Sequence, residues 1–312
     1  MAEITKVKTN SHEEWKKLRS HYIGGSDAAA VVGLNSFSSP YALWAEKTGK
    51  LPGFEGNLAT EVGTYLEEFV AKKFEEQTGK RVRRVNHSFF NSDYPWAIAN
   101  IDRDVVGEDA GLEIKTTSEL NLRKFKGGEY PANYYCQCVH YMAITGKKRW
   151  YLAVLVGNKE FHTFTIERDE AEINALMTAE QHFWELVKTD TPPAMDGYKA
   201  TTDALGAMYP DSDDDTVVDL YGHSAELDSF VALNQQIKEL EEQRNEAANK
   251  VKEFMADAGN GENDRYRVSW KSTTRRTFDH KRFIEDNPDI DLSGYFKESK
   301  SRTFRVAEMK GE

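Results

Sequence analysis

The run Gly111-Leu112-Glu113-Ile114-Lys115, with Ala99-Asn100-Ile101-Asp102-Arg103-Asp104 ahead of it, decides how the rest of the chain is read. As a short strand it places Glu113 and Lys115 on one face, because successive strand side chains point to opposite sides. Ile114 then packs on the other face, with its main-chain carbonyl available as a ligand. If the two segments form a hairpin across Gly107 to Ala110, Asp102 arrives beside Glu113 at the same end of the sheet. Two carboxylates would then share one small volume, a donor set that suits a hard cation. Magnesium binds through few carboxylates and keeps several waters, and manganese is expected to substitute for it. Such a site can generate hydroxide and relieve charge on a phosphodiester under attack. An E-x-K strand alone is also what a solvated strand face looks like, so its neighbours carry the weight.

Around this strand the hydrophobic period alternates between helix and strand. His12 to Ser20 reads as a short helix, Ser26 as the N-cap of a second opening at Ala28, and Pro40 to Thr48 as a third. Leu58 to Gln77 is longer, with Val62, Tyr65, Leu66, Phe69, Val70 and Phe74 on one face and Gly79 past its end. Val82 to Phe90, Trp96 to Val106 and Gly111 to Lys115 read as a strand meander. Pro131 to Thr145 returns to helix, Trp150 to Val156 and Glu160 to Ile166 pair across Gly157-Asn158, and Asp169 to Lys188 closes the domain. The order describes an α/β fold with a central mixed sheet flanked by helices.

Thr189 to Gly222 is rich in Pro, Asp, Gly and Thr and reads as a connector. A long helix from about Ala225 to Ala258 follows. Its Phe230, Leu233, Ile237, Leu240, Ala247, Val251 and Phe254 alternate by three and four, interrupted by Arg244, and form a narrow seam for a partner. That partner is either another subunit or the chain's own first domain. In the tail, Lys271-x-x-x-x-Arg276-Thr277-Phe278 recurs as Lys297-x-x-x-x-Arg302-Thr303-Phe304, which predicts two short strands flanking a small helix near Lys281 to Asp286.

With 312 residues, 39% of them hydrophobic and 30% charged, the chain has the composition of a soluble globular protein. No apolar run approaches the roughly 20 residues of a membrane span, and no signal-peptide core opens the chain, so the expected location is the cytoplasm. Cys136 and Cys138 are expected to be reduced and inert. His21, His87 and His140 form no metal-ligand spacing with cysteine. A net charge of −11 argues against indiscriminate binding to phosphate backbones. Positive charge is instead local, with seven Lys or Arg against Asp279 alone from Arg265 to Phe283, while Asp211 to Asp219 holds five Asp and no base.

Asp102 with Glu113-x-Lys115 resembles the PD-(D/E)XK nuclease motif. The flanking text narrows the resemblance to the YqaJ-like viral recombinase family, which is phage lambda exonuclease-like. His21-Tyr22-Ile23-Gly24-Gly25-Ser26-Asp27-Ala28-Ala29 resembles that family's IGGSDAA signature. Gly63-x-x-x-Glu67 resembles its helical acid, and Gln137 followed by Met142-Ala143-Ile144-Thr145-Gly146 its motif glutamine. The match runs from about Arg19 to Ile166. Val139 departs from it, where relatives often carry a second glutamine.

The resemblance implies a restriction-endonuclease-like nuclease core, placed at residues 1–190; composition and periodicity add a connector at 191–222 and a long helix with a small α+β appendage at 223–312. It implies catalytic roles for Asp102, Glu113, Lys115, Gln137 and Glu67. Metal ligation would fall to Asp102, Glu113 and the Ile114 carbonyl, with Glu67 a further ligand, directly or through water. Arg19 and Ser26 would hold a terminal 5′-phosphate. The implied activity is a magnesium-dependent exonuclease, 5′ to 3′ on linear double-stranded DNA, that leaves 3′ single strands for phage-type recombination. Implied partners are double-stranded DNA ends, a single-strand annealing recombinase and two further copies in a homotrimer, in the host cytoplasm if the chain is phage-encoded. The alternatives are a DNA endonuclease with the same chemistry, or a non-catalytic DNA- or recombinase-binding protein. For the aromatic, basic tail three readings stand open: gripping single-stranded DNA, docking the recombinase, or packing on the core.

Overall fold

Ala110–Thr117 forms a central strand of the fold, with one neighbour antiparallel to it and the other parallel. The computed structural model describes residues 2–9, 11–298, 300–307 and 309. In chain order the first unit, 1–209, holds strands β1 (Ile4–Val7) and β2 (Ile23–Gly24), β3 (Val82–Arg84) and β4 (Ser88–Asn91), β5 (Ala97–Ile98) and β6 (Arg103–Val105), β7 (Ala110–Thr117), β8 (Arg149–Val156) and β9 (Glu160–Glu167). Its helices are α1 (His12–Ser20), α2 (Gly25–Val31), α3 (Pro40–Lys47), α4 (Leu58–Thr78), α5 (Ala132–Thr145), α6 (Glu170–Lys188) and α7 (Lys199–Met208). The five-stranded sheet runs β3-β6-β7-β8-β9, with β7 and β8 parallel and every other pair antiparallel.

The pleat sorts the side chains of β7 and β8 between two cores. Ala110, Leu112 and Ile114 join Tyr151 and Ala153 under Val70, Ala71 and Phe74 of α4. On the opposite face Trp150, Leu152 and Val154 pack with Val139, Met142 and Ala143 of α5. Gly111 has a steric reason to be glycine: a Cβ there would lie 2.4 Å from the Trp150 ring. Capping fixes the helix ends. Asn57 accepts from the Thr60 N–H (3.1 Å) to start α4, and Gly79 (φ 71°) and Gly146 (φ 70°) end α4 and α5 in the left-handed region. Cys136 and Cys138 on α5 are free and buried.

The structure departs from the expected elements where pairing is distant in sequence. The run 82–90 is divided, because β4 leaves the main sheet to pair with β1. The run 96–106 is divided too, with β5 pairing parallel to β2. Between β5 and β6 the Asn100 side chain accepts from Trp15 Nε1 (3.0 Å) and Ser88 Oγ (2.6 Å), anchoring a non-strand segment. Helix α2 starts at Gly25, so Ser26 lies in its first turn and is not the N-cap; the Gly24 N–H donates to Asp27 Oδ2 (3.0 Å) instead. On α4 the expected apolar face is covered only in its C-terminal half, and Val62, Tyr65 and Phe69 are exposed. The stretch read as a connector contains α7, whose Thr201 and Ala204 are buried, with Ala204 in a cluster with Tyr41, Trp44 and Phe183.

The second unit, 210–312, holds the 32-residue helix α8 (Ser224–Met255), the hairpin β10 (Asn260–Glu262) with β11 (Arg267–Ser269), and α9 (His280–Asp286). The small helix near 281–286 is present. The strands expected around 271–278 and 297–304 are not among the described residues, and Ser299 of that repeat lies outside them. Along the seam of α8, Phe230 meets Phe304 edge-on at 5.3 Å, while Leu233, Ile237, Leu240 and Phe254 are exposed. No described helix is long and apolar enough to cross a membrane.

Candidate active site

The β6–β7 register sets Arg103 opposite Leu112 and Asp104 opposite Gly111, so its next step brings Asp102 opposite Glu113. This is the juxtaposition that the spacing predicted. Asp102 is tied to β7 through its Oδ2, which accepts from the Ile114 N–H at 2.8 Å. Glu113, only 2% exposed, accepts through Oε1 from Gln137 Nε2 (2.7 Å) and pairs there with Lys115 Nζ (2.7 Å). Its other oxygen, Oε2, is buried and has no hydrogen-bond partner.

Gln137 of α5 uses its whole amide. Its Oε1 accepts from Lys115 Nζ (2.8 Å), and its Nε2 donates to Glu113 and to Tyr141 Oη (2.8 Å). Lys115 also lies 5.5 Å from the centre of the Tyr134 ring. Burial, and then the Glu113 charge, hold the Asp102 carboxyl well above the usual carboxylate range. For Lys115 burial is the largest single influence and acts downward, but the Glu113 and Asp102 charges outweigh it and raise the ammonium. The two carboxylates thus favour the charged form of Lys115.

Glu67 reaches this neighbourhood from α4 but is engaged by a residue that the sequence reading passed over. Arg103, almost wholly buried, donates to Glu67, to Glu68 (3.2 Å) and to the Asp102 carbonyl (2.9 Å). Glu67 is thus bound to a cation beside Asp102 and makes no described contact with Glu113.

Arg19 and Ser26 stand together, as anticipated, through a hydrogen bond from Arg19 Nη2 to Ser26 Oγ. Their organiser is Asp27, which pairs with Lys47 (2.9 Å) and Arg19 (3.7 Å). Burial raises the Asp27 carboxyl, yet the charges of Lys47 and Arg19 outweigh it and leave the group below its ordinary value. Lys47 in turn donates to the Tyr22 carbonyl at 2.8 Å. The two clusters touch at Gly25, where a Cβ would lie 2.4 Å from the Tyr141 ring and 3.1 Å from Gln137 Cγ. Tyr141 had a sequence signal, one helical turn after Gln137. Asp27 lay inside the quoted glycine motif and Arg103 inside the quoted run around Asp102, while Lys47 carried no signal.

The family profile of the YqaJ-like viral recombinase domain matches residues 14–148. The "Uncharacterized protein YqaJ" of Bacillus subtilis (strain 168) is 36% identical over 311 residues, covering 98% of this chain and 97% of that protein. Among solved structures, the alkaline exonuclease LHK-Exo from Laribacter hongkongensis is similar at 23% identity and TM-score 0.48, over 57% of this chain and 94% of that one. A phage-related exonuclease from Haemophilus somnus 129PT is similar at 14% identity and TM-score 0.42, over 56% of this chain and 99% of that one. More than a third of positions shared along nearly the full length of both chains, with the profile lying over the elements that carry both clusters, makes this protein a member of the YqaJ-like viral recombinase family.

Proposed function

We propose that this protein is a magnesium-dependent DNA exonuclease that degrades linear duplexes 5′ to 3′ and leaves 3′ single strands for recombination. The observation that carries the reading is the buried, unpartnered Glu113 Oε2 at the strand position that the β6–β7 register sets against Asp102. A buried and a half-buried carboxylate packed together against one lysine favour an added positive charge over a shared proton at neutral pH. This donor set fits a hard divalent cation. Asp102, Glu113 and the Ile114 carbonyl would hold it, with Glu67 joining if Arg103 releases it. The cation would supply charge relief at the phosphate and acidify a bound water.

The rest of the chemistry falls to the chain's own groups. Lys115, held as an ammonium, stabilises negative charge on the phosphate oxygens. Gln137 fixes both Lys115 and Glu113, so neither has to reorganise during the reaction. Arg19 and Ser26 take the terminal 5′-phosphate, Arg19 through its planar fork and Ser26 through its hydroxyl. Recruitment of a single-strand annealing recombinase, assembly as a homotrimer and action in the host cytoplasm are part of the same proposal.

The test compares a linear duplex with 5′-phosphate, the same duplex with 5′-hydroxyl, and a covalently closed circle, each with magnesium. Fastest loss of the phosphorylated duplex and intact circles are expected. Rapid circle cleavage would replace the exonuclease with an endonuclease.

A further inference from the structure

Arg103 follows Asp102 directly in the chain, and its side chain is 3% exposed. Its fork is spent on two acids of α4, with Nη1 donating to Glu67 and Nη2 to Glu68 (3.2 Å). The same Nη1 donates to the Asp102 carbonyl (2.9 Å), so Glu67 and the Asp102 main chain accept from one nitrogen. The two acids differ in their surroundings. The Glu68 side chain is 68% exposed and is solvated without Arg103, whereas that of Glu67 is 21% exposed and relies on it. An ion pair of this kind ties α4 to the sheet, which a well-packed apolar residue would do as well. Its charge does something that an apolar residue could not.

Asp102, Glu113 and Glu67 bring three carboxylates to one neighbourhood, and Lys115 alone would leave two of their charges uncompensated. A set of that charge suits a pair of divalent cations. Arg103 changes the count. A guanidinium keeps its proton at any ordinary pH, so with Arg103 in place a single negative charge is left over. A second ion could take Glu67 only by displacing Arg103, which would strand a buried cation beside added positive charge. We propose that Arg103 stands in for a second metal ion, holding Glu67 out of the ligand set so that the carboxylate site takes one divalent cation. Arg103 is then a positioning residue. The inference rests on the metal-dependent reading of Asp102 and Glu113, and goes beyond it by fixing the number of ions and the role of Glu67.

The experiment titrates manganese(II) into the full-length, DNA-free protein and follows it by electron paramagnetic resonance, in which a lone bound ion and an exchange-coupled pair give different spectra. Asp102→Asn/Glu113→Gln serves as the blank, so that ions on the acidic run from Asp211 to Asp219 are not counted. Wild type should hold one uncoupled ion, and Arg103→Met a coupled pair. Arg103→Lys, which keeps the charge and loses the fork, should return to one ion, as should Arg103→Met/Glu67→Gln. Glu67→Gln alone should keep the single ion, a comparison with wild type that does not depend on how well Arg103→Met folds. A coupled pair in wild type, reduced to one ion by Glu67→Gln, would overturn the proposal and leave the metal site standing. So would a coupled pair in Arg103→Lys, or a single ion in Arg103→Met with a cooperative melting curve. No ion above the blank in wild type would instead overturn the metal-dependent reading itself, and this proposal with it.

Discussion

Lys115 in the first unit and Lys297 in the second show two ways of using a cation. Lys115 is clamped by Glu113 and Gln137 against Tyr134 in a largely buried site, with both of those residues accepting from its ammonium. Lys297 follows the exposed Phe296 and is in no ion pair among the described residues. Burial turns a charge into a positioned reagent, at the cost of instability if a partner is lost, whereas exposure leaves it free to meet a ligand with little effect on the fold.

The sharpest way to break this contrast is at the buried carboxylate. Glu113→Ala should lower hydrolysis by about a thousandfold or more and abolish the calorimetric heat of magnesium binding. Retained magnesium heat would remove Glu113 from the metal site. The second prediction concerns His140, which is fully buried with Nδ1 on Glu180 (2.8 Å) and Nε2 on the Ile98 carbonyl (3.0 Å). His140→Ala should cost about 3–5 kcal/mol in denaturant unfolding, because it strands the buried Glu180 carboxylate.

The same residue gives a pH signature. Burial is the largest influence on His140 and acts against its charge, but the Glu180 charge and hydrogen bond outweigh it, and the folded-state pKa is raised. The stability this supplies is fully present below the unfolded value of about 6.5 and is lost as pH rises through the folded value. The stability gap between wild type and His140→Gln should therefore be constant in acid and narrow toward alkaline pH. A gap that widens with pH would show the imidazole to be neutral.

A smaller effect is expected at Gly25. Gly25→Ala should cost about 1–3 kcal/mol by overpacking Tyr141 and should slow hydrolysis through displacement of Gln137. The smallest is expected on α8, where Lys250 pairs with Glu246 at 2.6 Å and both are exposed. Lys250→Ala should move the melting temperature by no more than about 2 °C.

Local signals carried most of the first unit. Helix ends at Gly79 and Gly146 and the hairpin at Gly157 depend on residues within one or two turns, and they stand where the periodicity placed them. The Asp102–Glu113 juxtaposition was legible because a short loop fixes the register. Pairing of β1 with β4, or of β2 with β5, joins segments about 75 to 90 positions apart through two to four residues, too few to leave a pattern. Helix α7 was hidden by its Thr and Asp content, although Thr201 is satisfied by Ser39 and Asp196. In the tail, Lys271 to Phe278 holds a single apolar residue, Phe278, and has no neighbour to complete a ladder among the described residues.

The contact at Gly25 also constrains how such a chain can change over time. Because its missing methyl is the space that the Tyr141 ring fills, a mutation at either position is felt at the other. A lineage that acquired alanine at 25 would have to shrink residue 141, and with that lose the hydroxyl that holds Gln137. The Arg19–Ser26–Asp27 cluster and the Glu113–Lys115–Gln137 cluster are thus coupled through the space of one hydrogen atom.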